Sequence, residues 1–142
     1  MSTETGDTHT RFKRPLCYVM GALYVVAGMA HFIAPKMFER IVPPTFPRKR
    51  DLVYLSGVAE IALGLGVMIP RTRRFSAWGL IGLLVAVFPA NVYMATEKIV
   101  PDAVPESLRE HADLALWARL PLQAVLILWA WWYTQPSADD SK

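Results

Sequence analysis

An apolar stretch of 18 residues with one charge near its middle reads LVYLSGVAEIALGLGVMI and covers Leu52–Ile69. A helix of about 20 apolar residues crosses the hydrocarbon core of a bilayer, so this stretch predicts a spanning helix. Its only charged residue is Glu60. A charge at mid-membrane costs at least ~2.5 kcal/mol on insertion scales, so Glu60 is expected to face other helices.

Three more stretches of similar length and apolar character follow the same pattern. With the first, they predict spanning helices over residues 16–34, 52–69, 75–95 and 114–133. Each contains at least one polar residue that lipid would reject: His31, Glu60, Asn91, and Arg119 with Gln123. Since the link Arg71–Arg74 is short, the second and third helices should be antiparallel neighbours. The predicted fold is all-α, a transmembrane four-helix bundle with antiparallel helices.

The rest of the chain is divided by composition. Hydrophobic residues make up 54% of the sequence and lie in blocks, which predicts one transmembrane domain over residues 15–133. Residues 1–14 and 134–142 are polar, and we predict disordered tails there. In the first link, Lys36–Val42 alternates charged and apolar residues and is typical of a short helix at the membrane interface.

The net charge of +3 comes from basic residues that flank the apolar stretches. That placement is typical of topology determinants and argues against nucleic acid as a partner. The acid-free link Arg71–Arg74 and the cluster Arg11, Lys13 and Arg14 favour both termini in the cytoplasm. We therefore expect a multi-pass protein of the cell membrane, with the lipid bilayer as its principal partner.

The polar residues of the four stretches fall at similar depths when each helix is followed at 1.5 Å per residue. All of them lie at the membrane centre or in the half away from the N-terminus. We therefore predict one ligand-binding site formed by His31, Glu60, Asn91, Arg119 and Gln123. Glu60 is the expected ion-pair partner of Arg119, because either charge alone would be costly in lipid.

Two prolines lie beside these polar residues. Pro89 and Pro121 predict kinks in the third and fourth spanning helices, because proline cannot donate to the carbonyl of residue i−4. The freed carbonyls of Val85 and Trp117 would then need partners from side chains, water or a ligand.

A purely structural role for the polar residues is the main alternative. Polar side chains between membrane helices often serve as hydrogen-bond contacts that contribute ~0.5–2 kcal/mol each. No metal site is predicted, because the candidate ligands are spread over different helices without a local spacing motif. Haem is disfavoured because His31 is the only histidine within the predicted spans. The single cysteine, Cys17, cannot form an internal redox pair.

Short motifs in all four helices resemble those of the DoxX family of small four-helix membrane proteins. They are GMAHF over 28–32 with Pro35 and Phe38, IVPP over 41–44, SGVAE over 56–60 with Gly64, FPAN over 88–91, and WARLPLQ over 117–123. The resemblance covers Pro15 to Tyr133 and implies the four-helix fold. The family name comes from a subunit of a thiosulfate:quinone oxidoreductase, and related branches act in enzyme maturation or as membrane chaperones.

Three functions remain open at this point. The first is binding of a small amphiphile, with quinone as the candidate cofactor, by a redox-accessory subunit that contacts a partner membrane or redox protein. The second is a non-enzymatic assembly factor or chaperone whose polar cluster is structural. The third is transport, which would require a homo-oligomer because four helices are few for a carrier. No residue carries a catalytic signature, so the sequence does not decide whether the chain is an enzyme.

Overall fold

The computed structural model describes residues 4–102 and 104–135, with side chains described from residue 13 onward. The described residues form helices and connecting segments, with no strand among them. The helices are α1 (Glu4–Ile33), α2 (Pro35–Ile41), α3 (Lys49–Met68), α4 (Arg73–Thr96) and α5 (Arg109–Trp132), and a 3-10 turn at Glu106–Leu108 precedes α5.

Four of the helices are long and apolar enough to cross a membrane. These candidate spans are Lys13–Ile33, Lys49–Met68, Arg73–Thr96 and Glu106–Trp132. The prediction of an all-helical fold with four such helices is thereby confirmed. A third or less of each candidate span is buried within the protein, so most of its apolar surface must be covered by lipid or by another protein.

The first helix begins earlier than the sequence analysis expected. α1 starts at Glu4 and continues through Pro15, whereas residues 1–14 were predicted to form a disordered tail. Proline inside a helix removes one backbone hydrogen bond without preventing the turns on either side. The first helix therefore includes residues 4–14 of the predicted tail, while residues 1–3 and 136–142 lie outside the described part of the chain.

The closest helix contact joins α1 and α3 through glycines. A β-carbon on Gly28 would lie 2.6 Å from the Gly57 carbonyl oxygen, and one on Gly21 would lie 2.6 Å from the Gly64 carbonyl oxygen. These distances are too short for any side chain. Small residues allow membrane helices to approach until their backbones touch.

The main apolar core lies at the end of the protein where α1 and α4 begin and α3 and α5 end. Its buried members are Cys17, Met20, Tyr24, Val67, Ala77, Leu80, Leu84, Ala130 and Tyr133. The Tyr133 hydroxyl donates to the Lys13 carbonyl at 3.0 Å. At the same end, Arg73 is buried and its Nε donates to the Val67 carbonyl at 3.0 Å. Arg73 thus satisfies a carbonyl of the last turn of α3, which has no partner within the helix.

The opposite end is covered by α2 and the segment between α4 and α5. Ile41, Ile99 and Val100 pack against a small core of Met94, Ala95 and Leu116. Two exposed ion pairs hold the segment in place, Arg40 with Asp102 at 3.0 Å and Lys98 with Asp113 at 3.1 Å. The sequence prediction of a short helix in the first link is confirmed by α2.

Replacing a glycine of the α1–α3 contact by alanine should destabilise the protein. For Gly28→Ala and Gly57→Ala we expect a loss of up to ~2 kcal/mol, because overpacking costs ~1–3 kcal/mol while alanine gains ~1 kcal/mol in helix propensity. The measurement is reversible unfolding in detergent micelles. The matched control is Gly82→Ala, since a β-carbon on Gly82 meets nothing within 4 Å. Equal stabilities for the three variants would contradict the close packing.

Candidate functional site

The five predicted site residues divide into two groups on different helix pairs. His31 and Glu60 meet between α1 and α3. Asn91 and Gln123 meet between α4 and α5, and Arg119 lies one turn before Gln123 on α5. The structure therefore brings together two pairs rather than one five-residue cluster.

The His31–Glu60 pair is nearly enclosed. His31 Nδ1 lies 3.3 Å from Glu60 Oε2, and the two side chains are only 11% and 14% exposed. The same nitrogen lies 2.7 Å from the Ala27 carbonyl oxygen. Since a carbonyl oxygen can only accept, Nδ1 must carry the hydrogen and donate it. Phe38 of α2 stacks on the imidazole with ring centroids 3.8 Å apart, which fixes the plane of the ring.

Tyr24 is a third polar side chain of this α1–α3 contact. It lies one turn before Gly28 on α1, and its β-carbon lies 3.1 Å from the position of a β-carbon on Gly64 of α3. The Tyr24 hydroxyl and Glu60 Oε2 are both fully buried without a hydrogen bond among the described residues. The α1–α3 contact thus contains one donor and one acceptor that are buried without a hydrogen bond in the described part of the chain.

The predicted ion pair between Glu60 and Arg119 is wrong. Glu60 lies three residues after Gly57 and four residues before Gly64, and both glycines contact α1. Residues at these spacings lie on one face of a helix, so Glu60 lies on the face of α3 that packs on α1. Arg119 lies on α5, which packs against α4, and α3 and α5 share no close contact within the described residues. The depths of the two residues agree, but their helix faces do not meet.

Asn91 and Gln123 form a short chain of hydrogen bonds between α4 and α5. Asn91 Nδ2 donates to Gln123 Oε1 at 2.6 Å, and Gln123 Nε2 donates to the Leu84 carbonyl. Leu84 lies next to Val85, whose carbonyl loses its helical donor because Pro89 has no N–H. Gln123 thus contacts α4 beside this interruption, at the carbonyl of Leu84 and not at that of Val85.

Arg119 is the cation of the site. Its Nη1 donates to Met94 Sδ at 3.4 Å, its one hydrogen bond with a described residue. A thioether is a weak acceptor, and the guanidinium carries five N–H donors. The side chain is exposed and retains most of its hydrogen-bonding capacity.

A cavity of about 450 Å³ opens beside Arg119. It is an open cavity bordered by the end of α4, the start of α5 and the segment between them. Its lining residues are Met94, Val100, Pro101, Val104, Leu108, His111, Ala112, Ala115, Leu116 and Arg119. The two polar lining side chains are Arg119 and His111. Apolar walls with a few polar groups are typical of small-molecule sites.

Sequence reasoning missed several residues that the structure places at these contacts. Tyr24 follows the same helical stripe as Gly28 and His31, so its spacing could have identified it. Met94 follows Asn91 by three residues on α4 and could have been found in the same way. Arg73 was assigned only to a topology signal. No group of three metal-ligating side chains is found within the described residues.

All the candidate site residues lie within the segment of the chain that matches one protein family. The family described as a domain of unknown function, DUF8561, matches residues 20–134. The chain belongs to this family. The DUF8561 match includes all five predicted site residues and every residue that lines the Arg119 cavity. Neither a curated protein nor a solved structure matches the chain.

A double-mutant cycle should separate the observed pair from the one that the sequence suggested. We expect His31→Ala and Glu60→Ala to couple by ~0.5–2 kcal/mol in the free energy of unfolding, since the side chains are in contact. Glu60→Gln and Arg119→Gln should add within ~0.5 kcal/mol, since they share no contact. The measurement is unfolding of all variants in one detergent. Strong coupling in the second cycle would contradict the structure.

The α4–α5 contact predicts a second coupling. Asn91→Ala and Gln123→Ala should couple by ~0.6 kcal/mol, the average measured for hydrogen bonds between membrane helices, and by at most ~1.7 kcal/mol. Gln123→Ala should be the more destabilising single change, because Gln123 also donates to the Leu84 carbonyl. The same unfolding measurement checks it, and additive effects would show that the amide contact contributes nothing.

Proposed function

We propose that this chain is a multi-pass cell-membrane protein, related to the DoxX family, that binds a small amphiphile in the Arg119 cavity. Quinone is one candidate ligand, and the proposed role is that of an accessory to a membrane redox protein. The redox role rests on the resemblance of the motifs. The binding role is supported by the cavity and by the chemistry of its lining.

We further propose that α1, α3, α4 and α5 form an antiparallel bundle with both termini in the cytoplasm. Two contacts between α1 and α3 support opposite directions, since Gly21 lies against Gly64 and Gly28 against Gly57. In the same way, Leu84 contacts Gln123 while Met94, further along α4, contacts Arg119. Pro89 and Pro121 interrupt the backbone bonding of α4 and α5 and support a kink in each.

The single observation that carries the binding proposal is that Arg119 is an exposed cation whose described hydrogen-bond partner is a weak acceptor. It lies within a candidate span, its side chain is exposed, and its described partner is a thioether. A cation within a membrane helix normally faces a partner or reaches the interface. The cavity beside it offers space for the head group of an amphiphile, and the apolar lining offers contact for the tail.

The other polar residues have partners that tie helices together. His31 joins α1 to Glu60 of α3, and Gln123 joins α5 to two groups of α4. We therefore assign His31, Glu60, Asn91 and Gln123 to positioning the helices, and Arg119 to ligand contact. This division narrows the predicted ligand-binding set to one of its five residues.

The alternative is an assembly factor that binds another membrane protein. It is favoured by the large apolar surface that the candidate spans leave uncovered within the protein. On this alternative both polar pairs are structural, the exposed helix faces contact the client protein, and the Arg119 cavity stays empty.

Mass spectrometry of small molecules extracted from the purified protein separates the two functions. We expect wild type to retain an amphiphile that Arg119→Gln and Ala115→Phe lose by about tenfold or more, corresponding to ~1.4 kcal/mol of binding. Ala115→Phe fills the cavity without changing its charge, since Ala115 lines it.

The controls are variants on the same helix outside the lining. Arg109→Gln removes a cation whose partner is exposed Glu106, and Ala118→Phe adds the same ring at an exposed alanine. Both should retain the ligand, and all variants should keep wild-type helicity. A folded wild type without any specific ligand would favour the assembly factor.

A further inference from the structure

We infer that the ligand of the Arg119 cavity has an anionic oxygen head group, a carboxylate or a phosphate, attached to an acyl chain. This inference rests on the proposed function, namely that the cavity binds an amphiphile. It goes further by assigning the charge of the head group, which distinguishes the ligand from a neutral quinone.

The first support is the charge balance of the cavity. Its lining contains Arg119 and His111 but no Asp or Glu. None of the described carboxylates lies within ion-pair distance of Arg119, whose hydrogen bond goes to Met94 Sδ. Three acidic residues of this end pair with other cations: Asp102 with Arg40, Glu106 with Arg109, and Asp113 with Lys98. The positive charge of Arg119 therefore remains uncompensated.

The second support is the chemistry of the guanidinium. Arginine stays charged under all ordinary conditions, and its planar fork matches the two oxygens of a carboxylate or phosphate. A neutral carbonyl could accept a hydrogen bond but would leave the charge unbalanced. Beside apolar walls an anionic head group is favoured over a neutral one, because screening of the charge by water is weak there.

The third support is the depth of the guanidinium. Arg119 contacts Met94, which lies two residues before the end of α4 at Thr96, roughly 3 Å along the helix axis. The guanidinium therefore lies close to the end of the α4 span, although Arg119 is the fourteenth of the 27 residues of its own candidate span. A head group bound there would be near the membrane interface, while its acyl chain could follow the apolar surface towards the bilayer centre. This is the orientation that lipids adopt in a membrane.

The fourth support is the apolar lining around the charge. Val100, Pro101 and Val104 cover the cavity from the α4–α5 segment, while Leu108 and Leu116 line it from the other side. The volume of about 450 Å³ falls in the usual range for small-molecule sites, ~300–1,000 Å³. The site can thus hold a head group and the first part of one chain.

The test is native mass spectrometry of the delipidated protein in a non-ionic detergent, titrated with four defined probes. These are oleic acid, dioleoyl phosphatidylglycerol, dioleoyl phosphatidylcholine and a short-chain ubiquinone. We expect at least one anionic probe to bind wild type about tenfold more tightly than the zwitterionic lipid and the quinone. Preference for oleic acid identifies a free fatty acid, and preference for phosphatidylglycerol identifies a membrane lipid; either result supports the inference.

Variants test whether the preference for an anionic probe arises in the Arg119 cavity. Arg119→Gln should abolish the preference for the anionic probe, and Arg119→Lys should retain part of it, because lysine keeps the charge but lacks the fork. Ala115→Phe should weaken all specific binding, whereas Ala118→Phe and Arg109→Gln should bind as wild type does. Thermal unfolding of each variant shows whether it is folded before its binding is compared.

The outcomes also separate this inference from the function on which it rests. Equal or tighter binding of the quinone, still lost in Ala115→Phe, would overturn the anionic head group and leave amphiphile binding in place. If no probe bound in a way that depends on Ala115 and Arg119, both would be overturned. An anionic preference that persists in folded Arg119→Gln would also overturn the inference, because the charge would then be recognised elsewhere.

Discussion

The structure depends on the contact in which the backbones of α1 and α3 touch at Gly21, Gly28, Gly57 and Gly64. Such close approach is possible only where neither helix carries a side chain, and it replaces lipid contact by tight packing between backbones. The approach also sets the distance between His31 and Glu60, since each lies three residues after a glycine of the contact. A larger residue at Gly57 would collide with His31 itself.

The polar side chains of the two helix pairs have different kinds of partner. Between α1 and α3 an acid lies beside a histidine, and a stacked aromatic ring from α2 holds the imidazole. Between α4 and α5 two amides and a backbone carbonyl form a neutral chain. Both arrangements join two helices within the protein. Arg119 is different, because no described carboxylate pairs with its charge and a cavity opens beside it.

This contrast gives the candidate site a simple physical basis. A group that is satisfied within the fold can position helices but has little capacity left to bind a ligand. A cation with unused donors beside an apolar cavity retains that capacity. Membership of DUF8561 covers both kinds of residue and assigns a role to neither. The partners and the burial of each side chain therefore distinguish positions that the family match does not separate.

The sequence by itself determined the four long apolar helices and the polar residues within them. Segment length and hydropathy are local properties, and they decide whether a helix can cross a bilayer. It also indicated the helix in the first link. The start of α1 at Glu4 was missed, since Pro15 was interpreted as a helix start. Only the tertiary structure decided that Glu60 meets His31 and that Arg119 meets Met94 beside a cavity. Depth along each helix can be counted from the sequence, but the faces that meet depend on how the helices rotate and pack.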